Sequence, residues 1–383
     1  MVGWRITLFR LFDFEVRIDL SWLLLAALVT WSLASGFFPF YVQGLTSFTY
    51  WWMAAAAAGG LFASILFHEF GHAIVAKRHG IRIRSITLFI FGGVAEMESE
   101  PPSAKSEFLM AIAGPIASVF LAGLFFGGVL AVRLLNGPIS AEAILQYLCW
   151  TNLALVAFNL VPAFPLDGGR VLRAALWQLK QSLPRATRIA SNIGIGFAFV
   201  LMGLGFLSVV VGNLMGGFWW VLLGLFIRSA SRRSYQQVLL REALDGETVS
   251  HLMTPAPITV SPSVPVQQLL DEFFYRHHHK LLPVVEEGRL VGCVTLDQIK
   301  RLPPENWNHF TAADISQPCS EANTIGSSAT AMGALAKMKR AQNSRLMVVE
   351  QGELVGILSL KDLLQFLSLN TALAREDAPL NHV

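Results

Sequence analysis

His68-Glu69-Phe70-Gly71-His72 combines the residue types and the spacing of a metal site. On a helix, residues four apart stand one turn apart on the same face, so His68 and His72 can hold one cation through both imidazoles. Glu69 lies beside them, within reach of a proton on a metal-held water. The pattern also occurs by chance in soluble helices. Here, however, every other residue from Trp51 to Ala76 is apolar or small and uncharged. Two histidines and a carboxylate are costly in such a membrane helix, and ionisable groups kept there mark function. The chemistry they suit is zinc-dependent hydrolysis, with one Zn2+ per chain.

A catalytic zinc needs a third protein ligand and an open position for water. The candidate is Asp167, in Asn159-Leu160-Val161-Pro162-Ala163-Phe164-Pro165-Leu166-Asp167-Gly168-Gly169-Arg170. Pro162 and Pro165 interrupt a helix and Gly168-Gly169 release the chain, so an acidic group there can turn inward.

These residues must be positioned by membrane helices. Of 383 residues 54% are hydrophobic and 14% charged, against roughly 25% charged in soluble domains. The average hides two halves: up to about Arg233 the chain is membrane-like, and beyond it charge returns to globular density. A span needs about 20 apolar residues. Spans are expected at 20–38, 51–76, 108–132 and 143–166. The charge-free run 189–227 is too long for one, so two are expected there, broken near Gly212-Asn213 and Gly216-Gly217, the second short. The first run is too long for a signal-peptide core and is read as a retained span. Lys and Arg cluster before span one, after span two, between spans four and five, and after span six. The alternate connections lack such residues, with only Arg133 at an edge, so both termini are expected in the cytosol. That places His72 and Asp167 at the same, cytosolic depth of the bilayer. The net charge of +3 is modest and no nucleic-acid partner is expected. Cys149, Cys293 and Cys319 are too few and too scattered for a disulfide framework or a zinc knuckle.

The stretch 81–98 is not a span. It is rich in β-branched and aromatic residues and leads into Phe91-Gly92-Gly93-Val94-Ala95, where glycines allow another backbone to approach closely. HEFGH in a span, together with N-x-x-P-x-x-P-L-D-G-G-R, resembles the site-2 protease family of intramembrane zinc metalloproteases. Gly114-Pro115 in span three and the glycine segment are similar to that family's pattern. The resemblance implies His68, His72 and Asp167 as zinc ligands and Glu69 as general base. It further implies Asn159 as a substrate contact, and Gly92 and Gly93 as backbone that pairs with an unwound substrate strand. The implied substrate is a single-span or membrane-tethered protein.

The second half carries an internal repeat. Residues 281–295 (Leu281 to Thr295) match 345–359 (Arg345 to Ser359), each reading as strand, tight turn, strand and then helix, with another helix upstream (Val266–Arg276 and Ala329–Ala341). This resembles a tandem pair of CBS domains. The resemblance implies adenosine nucleotide binding (ATP, ADP or AMP) and possible homodimerisation. The ribose contact of such pairs would fall at Ser359-Leu360-Lys361-Asp362 in copy two. In copy one, Thr295-Leu296-Asp297-Gln298 has an amide where the acid should stand, which weakens a charge-assisted contact. His277-His278-His279-Lys280 is read as a solvated turn.

The expected fold is a polytopic α-helical membrane protein of about six spans followed by a soluble α+β tandem CBS pair. The expected domains are a protease domain 1–233, a linker 234–247, CBS copies 248–303 and 311–369, and a tail 370–383. The expected activity is intramembrane proteolysis in the cell membrane of a prokaryote. A CBS-regulated transporter or channel is the alternative. It would need buried ionisable groups spread over several spans, whereas here they gather in HEFGH and Asp167. A catalytically dead relative is disfavoured by Glu69.

Overall fold

Alternation of charged and apolar residues in Arg5–Leu11 and Phe14–Asp19 produces two short strands, β1 and β2, that pair antiparallel. The computed structural model describes residues 5–11, 14–90, 92–97, 100–275 and 281–376. Two compact units divide the chain, Met1–Val238 and Leu239–Val383.

The first unit is helical around one small sheet. Strand β2 continues into β3 (Ile83–Phe89), paired in parallel, and β3 into β4 (Gly92–Met97), antiparallel, giving the order β1-β2-β3-β4. The N-terminal hairpin was absent from the sequence expectation. The strands at 83–89 and 92–97 occupy the segment read as something other than a span. Strand β4 forms one edge of this sheet among the described residues.

Among the described residues six helices are long and apolar enough to cross a membrane. They are α1 (Leu20–Tyr41, with a π-helical turn at Leu33–Phe37), α2 (Ser47–Arg78), α3 (Ala104–Leu134), α4 (Ile139–Asn159), α6 (Leu183–Val210) and α7 (Leu214–Leu244). The chain is therefore a multi-pass membrane protein. Between α4 and α6 lies α5 (Asp167–Lys180). Helix α2 starts at Thr46, whose hydroxyl accepts from Thr49 N, and ends with Lys77 and Arg78 in its last turn. Its inner face is lined by small residues, Ala54, Ala57, Ala58, Ala73 and Ala76, which let neighbouring helices approach closely.

Two expectations about the spans are corrected. The fourth does not run to Leu166: α4 stops at Asn159, because Pro162 and Pro165 lack the amide hydrogen and crowd the preceding turn. The sixth is not short: the break falls at Val211–Asn213, with Gly212 at φ +94°, and α7 then runs 31 residues, through most of the expected linker.

The second unit holds a seven-stranded sheet. Strands Leu281–Glu286 and Arg289–Thr295 form one hairpin, Arg345–Glu350 and Glu353–Ser359 the other. Each turns through two residues of positive φ, Glu287-Gly288 and Gln351-Gly352, as tight hairpins require. Both register shifts fall at equivalent places, Val284/Val285 and Val348/Val349. The cores are exchanged at their edges. Val249 packs with Ile325, Leu346 and Leu358, while Ala312 packs with Val260, Val284 and Val294. Each sequence copy thus lends its first helix to the other's core. Helices upstream of the hairpins lie at Val266–Gln268, continued by a π-helical stretch to Tyr275, and at Ala331–Ala341. The final helix, Leu360–Glu376, takes up the start of the expected tail.

Arg173 of α5 is buried against Glu107 of α3, with side chains 3% and 0% exposed. Arg173 Nε donates to Glu107 Oε1 at 2.6 Å and Nη2 reaches Glu100 at 3.3 Å. Removing one partner strands the other charge. We expect Arg173→Ala to destabilise the detergent-solubilised protein by about 3–5 kcal/mol. An added Glu107→Gln should recover part of the loss, read as melting temperatures in a double-mutant cycle.

Candidate metal centre and cleft

Helix α2 places His68 and His72 on its buried face, 3% and 7% exposed, and the start of α5 brings in Asp167, 8% exposed. His68 Nε2 lies 3.1 Å from Asp167 Oδ2 and 3.2 Å from His72 Nε2, and His72 Nε2 lies 3.2 Å from Asp167 Oδ2. Tetrahedral ligands of zinc, each about 2.0–2.2 Å from the ion, stand roughly 3.3–3.6 Å apart, a little beyond the 3.1–3.2 Å seen here. The triangle comes close to that spacing. It is the one cluster of three metal-competent side chains among the described residues.

The outer ring nitrogens fit the same purpose. His72 Nδ1 donates to the Met110 carbonyl at 2.6 Å, and His68 Nδ1 is bonded to Ser118 Oγ at 2.9 Å. A carbonyl can only accept, so Nδ1 of His72 carries the proton and Nε2 offers its lone pair inward. Met110, Gly114 and Ser118 occupy one face of α3 at four-residue spacing, and that face meets the histidines. A Cβ on Gly114 would fall 2.2 Å from His72 Nε2 and 2.6 Å from His68 Nε2. Helix α3 can therefore come this close only because residue 114 has no side chain. Donor set, spacing and outer hydrogen bonds together fit a zinc ion.

The three residues open onto a cleft of about 330 Å3, lined also by Glu69, Gly93, Asn159 and Arg170. A Cβ on Gly93 would stand 2.6 Å from Glu69 Cγ, so the edge strand passes directly over the carboxylate. Gly92, at φ +126°, opens that strand opposite Phe89. Asn159 is the last residue of α4 and shares the cleft. The residues singled out at Glu69, Gly93, Asn159 and the histidine–aspartate triangle are therefore assembled in one place. Met110 and Ser118 were missed; their signal was the four-residue spacing around Gly114.

In the second unit, Ser359 N and Oγ donate to Asp362 Oδ2 at 2.8 and 2.7 Å. Thr295 N and Oγ1 donate to Gln298 Oε1 at 2.5 and 2.9 Å. Both turns are capping boxes, as is Thr311 with Asp314. The amide in copy one therefore caps its helix as the acid would, and what it lacks is charge. Burial pushes the Cys293 thiol up to about 11, so it stays protonated at neutral pH and is no ready metal ligand. His277, His278, His279 and Lys280 lie outside the described residues.

Comparisons with known proteins show the family of each unit. The model of peptidase family M50 matches residues 56–136 and 131–202, and the CBS domain model matches 249–305 and 312–369. The chain is 33% identical to the protein Rip3 of Mycobacterium tuberculosis over 95% of its own length and 93% of that protein's. It is 34% identical to zinc metalloprotease MJ0392 of Methanocaldococcus jannaschii over 81% of this chain and 84% of that one. The solved site-2 protease of Methanocaldococcus jannaschii is 30% identical, covering 60% of this chain and 94% of that one, with a TM-score of 0.42. The chain belongs to peptidase family M50, the site-2 proteases, and carries a CBS pair. It is a zinc metalloendopeptidase of the membrane, and its general activity is intramembrane proteolysis. The transporter alternative falls with that membership.

Gly114→Ala would ordinarily favour a helix, since alanine loses less backbone entropy than glycine. Here we expect it to weaken zinc binding at least about tenfold by displacing the histidines. Zinc content per chain and chelator competition on the purified protein would read the effect.

Proposed function

We propose that His68, His72 and Asp167 hold the zinc ion and that Glu69 is the general base for hydrolysis of a peptide bond in or near a substrate's transmembrane segment. The observation that carries this is the convergence of His68 Nε2, His72 Nε2 and Asp167 Oδ2 within about hydrogen-bond distance of one another, in one cleft with Glu69. When bound, zinc supplies Lewis acidity and makes a water acidic enough to ionise near neutral pH. Glu69 then takes the proton of the attacking water and delivers it to the leaving amine. Asn159 donates its side-chain amide to the substrate backbone. A helical substrate must unwind before attack, and its freed backbone groups need partners at membrane depth. The edge strand β4, at Gly92 and Gly93, offers them by strand addition. The substrate is a single-span or membrane-tethered protein.

The distribution of Lys and Arg supports a cell-membrane enzyme with both termini cytosolic. On this reading residues 1–233 carry proteolysis, and the copies at 248–303 and 311–369 regulate it by binding an adenosine nucleotide through Ser359, Asp362 and Thr295, with dimerisation through the same unit. An effect of roughly 5- to 150-fold on cleavage is the scale expected of a coupling between sites.

Glu69→Gln in liposomes should keep stoichiometric zinc and lose cleavage of a pool of synthetic single-span peptides. Full activity in that variant would overturn the assignment of the base. For regulation, calorimetry of the full chain with ATP, ADP and AMP should show binding that weakens about tenfold or more in Asp362→Asn, which keeps the helix cap but loses the charge. Absence of binding at millimolar nucleotide would leave the CBS unit a dimerisation module. Binding unchanged in Asp362→Asn would place the ligand in another cleft.

A further inference from the structure

Hydroxyl side chains in membrane helices usually fold back onto the carbonyl one turn earlier, satisfying themselves locally. Thr30, Ser64 and Thr187 all do so here, bonding Ala26 O, Gly60 O and Leu183 O. Ser231 of α7 does not. Its Oγ crosses to the carbonyl of Phe164 at 2.5 Å, 67 positions away in sequence, and the residue is 0% exposed.

Phe164 sits midway along the irregular segment that ends at Asp167, and several elements close on it. A Cβ at Gly194 of α6 would fall 2.1 Å from the same Phe164 oxygen, so α6 reaches the segment only because residue 194 is glycine. A Cβ at Gly169 would fall 2.3 Å from Phe164 N. The Arg173 guanidinium lies 5.1 Å from the centroid of the Phe164 ring. From there to the metal triangle the chain is short and tied. Leu166 N donates to Ala163 O at 2.9 Å and Arg170 N to Leu166 O at 3.1 Å, bracketing Asp167. A displacement of Phe164 has little slack in which to dissipate before it reaches the carboxylate.

We infer that Ser231 is a positioning residue for Asp167, acting through the Phe164 carbonyl, and thereby sets the affinity and geometry of the zinc site. This rests on Asp167 being a zinc ligand. The physical reason is that a buried carbonyl without a donor is costly. Without the Ser231 hydroxyl the segment reorients to find another donor, and Asp167 Oδ2 leaves its place in the triangle. Metal sites tolerate only about 0.2 Å of error in ligand distance. Such a shift therefore registers in the metal even when the helices stay packed.

The test uses the purified full chain in detergent, with zinc affinity from chelator competition and the visible spectrum of the Co2+-loaded protein as readouts. Ser231→Ala should weaken zinc about tenfold, the lower end for groups that support metal ligands, and should shift the Co2+ bands. Ser231→Thr and Ser231→Val add the same bulk and differ only in the hydroxyl, so the threonine form should bind zinc about tenfold more tightly than the valine form. That pair decides the matter if the alanine variant folds poorly. Wild-type zinc affinity and an unaltered Co2+ spectrum in Ser231→Ala, or equal affinity in the threonine and valine forms, would overturn the proposal. Asp167→Ala separates the two readings. If it loses zinc while Ser231→Ala does not, the positioning role alone fails. If it retains stoichiometric zinc, the ligand assignment fails and the Ser231 role fails with it.

Discussion

Three lone pairs pointed at one buried spot are mutually repulsive unless a cation or a proton lies among them. His68 Nε2, His72 Nε2 and Asp167 Oδ2 form such a set, and much of the first unit follows from keeping it in place. The outer nitrogens are anchored to Met110 O and Ser118 Oγ, so the rings cannot rotate away. Both anchors belong to α3, and Gly114 between them is the gap into which the imidazoles fit. Histidine placement and helix packing are one constraint here: the close approach that buries the rings also fixes the His72 tautomer through Met110 O and ties His68 to Ser118.

The aspartate is held differently. The histidines share a regular helix, whereas Asp167 stands where one helix has ended and another begins, and irregular backbone must be satisfied by its surroundings. Glycines at 168, 169 and 194 let neighbouring backbone press against residues 160–164. The Arg173–Glu107 pair then ties α5 to the same helix, α3, that anchors the histidines. A buried ion pair is a poor source of net stability against apolar residues of equal volume. It is a directional link, however, and this one joins the element bearing the aspartate to the element bearing the histidines' hydrogen-bond partners.

How much could be read from the sequence follows from the range of each interaction. The His68–His72 pair was legible because its geometry is set by one turn of one helix. Asp167 was legible because its motif carries its own helix breakers. The break near Gly212 was legible for the same reason. The extent of the sixth helix was not: Arg228, Arg232 and Arg233 end the hydrophobic stretch but not the helix. Strands β1 and β2 were overlooked because seven and six residues of alternation are a weak signal until a partner is known, and the partner of β2, β3, lies beyond a whole pair of membrane helices. Met110 and Ser118 had only the four-residue spacing around Gly114 as a signal, and Arg173, Glu107 and Ser231 act across 66 or more positions with no local period to announce them.

The second unit shows the same division. Its repeat was visible because each hairpin is local, down to the positive-φ pairs Glu287-Gly288 and Gln351-Gly352. The exchange of first helices between copies was not visible, since it changes which core Val249 and Ala312 enter without altering either copy's pattern. That exchange makes the two copies a single folding problem: neither core is complete without a residue from the other's sequence. It also means that a ligand binding to one copy acts on a unit whose cores share elements. Leu244, the last residue of α7, lies in the same core as Val249 and Leu358, so that core also draws on chain upstream of both copies.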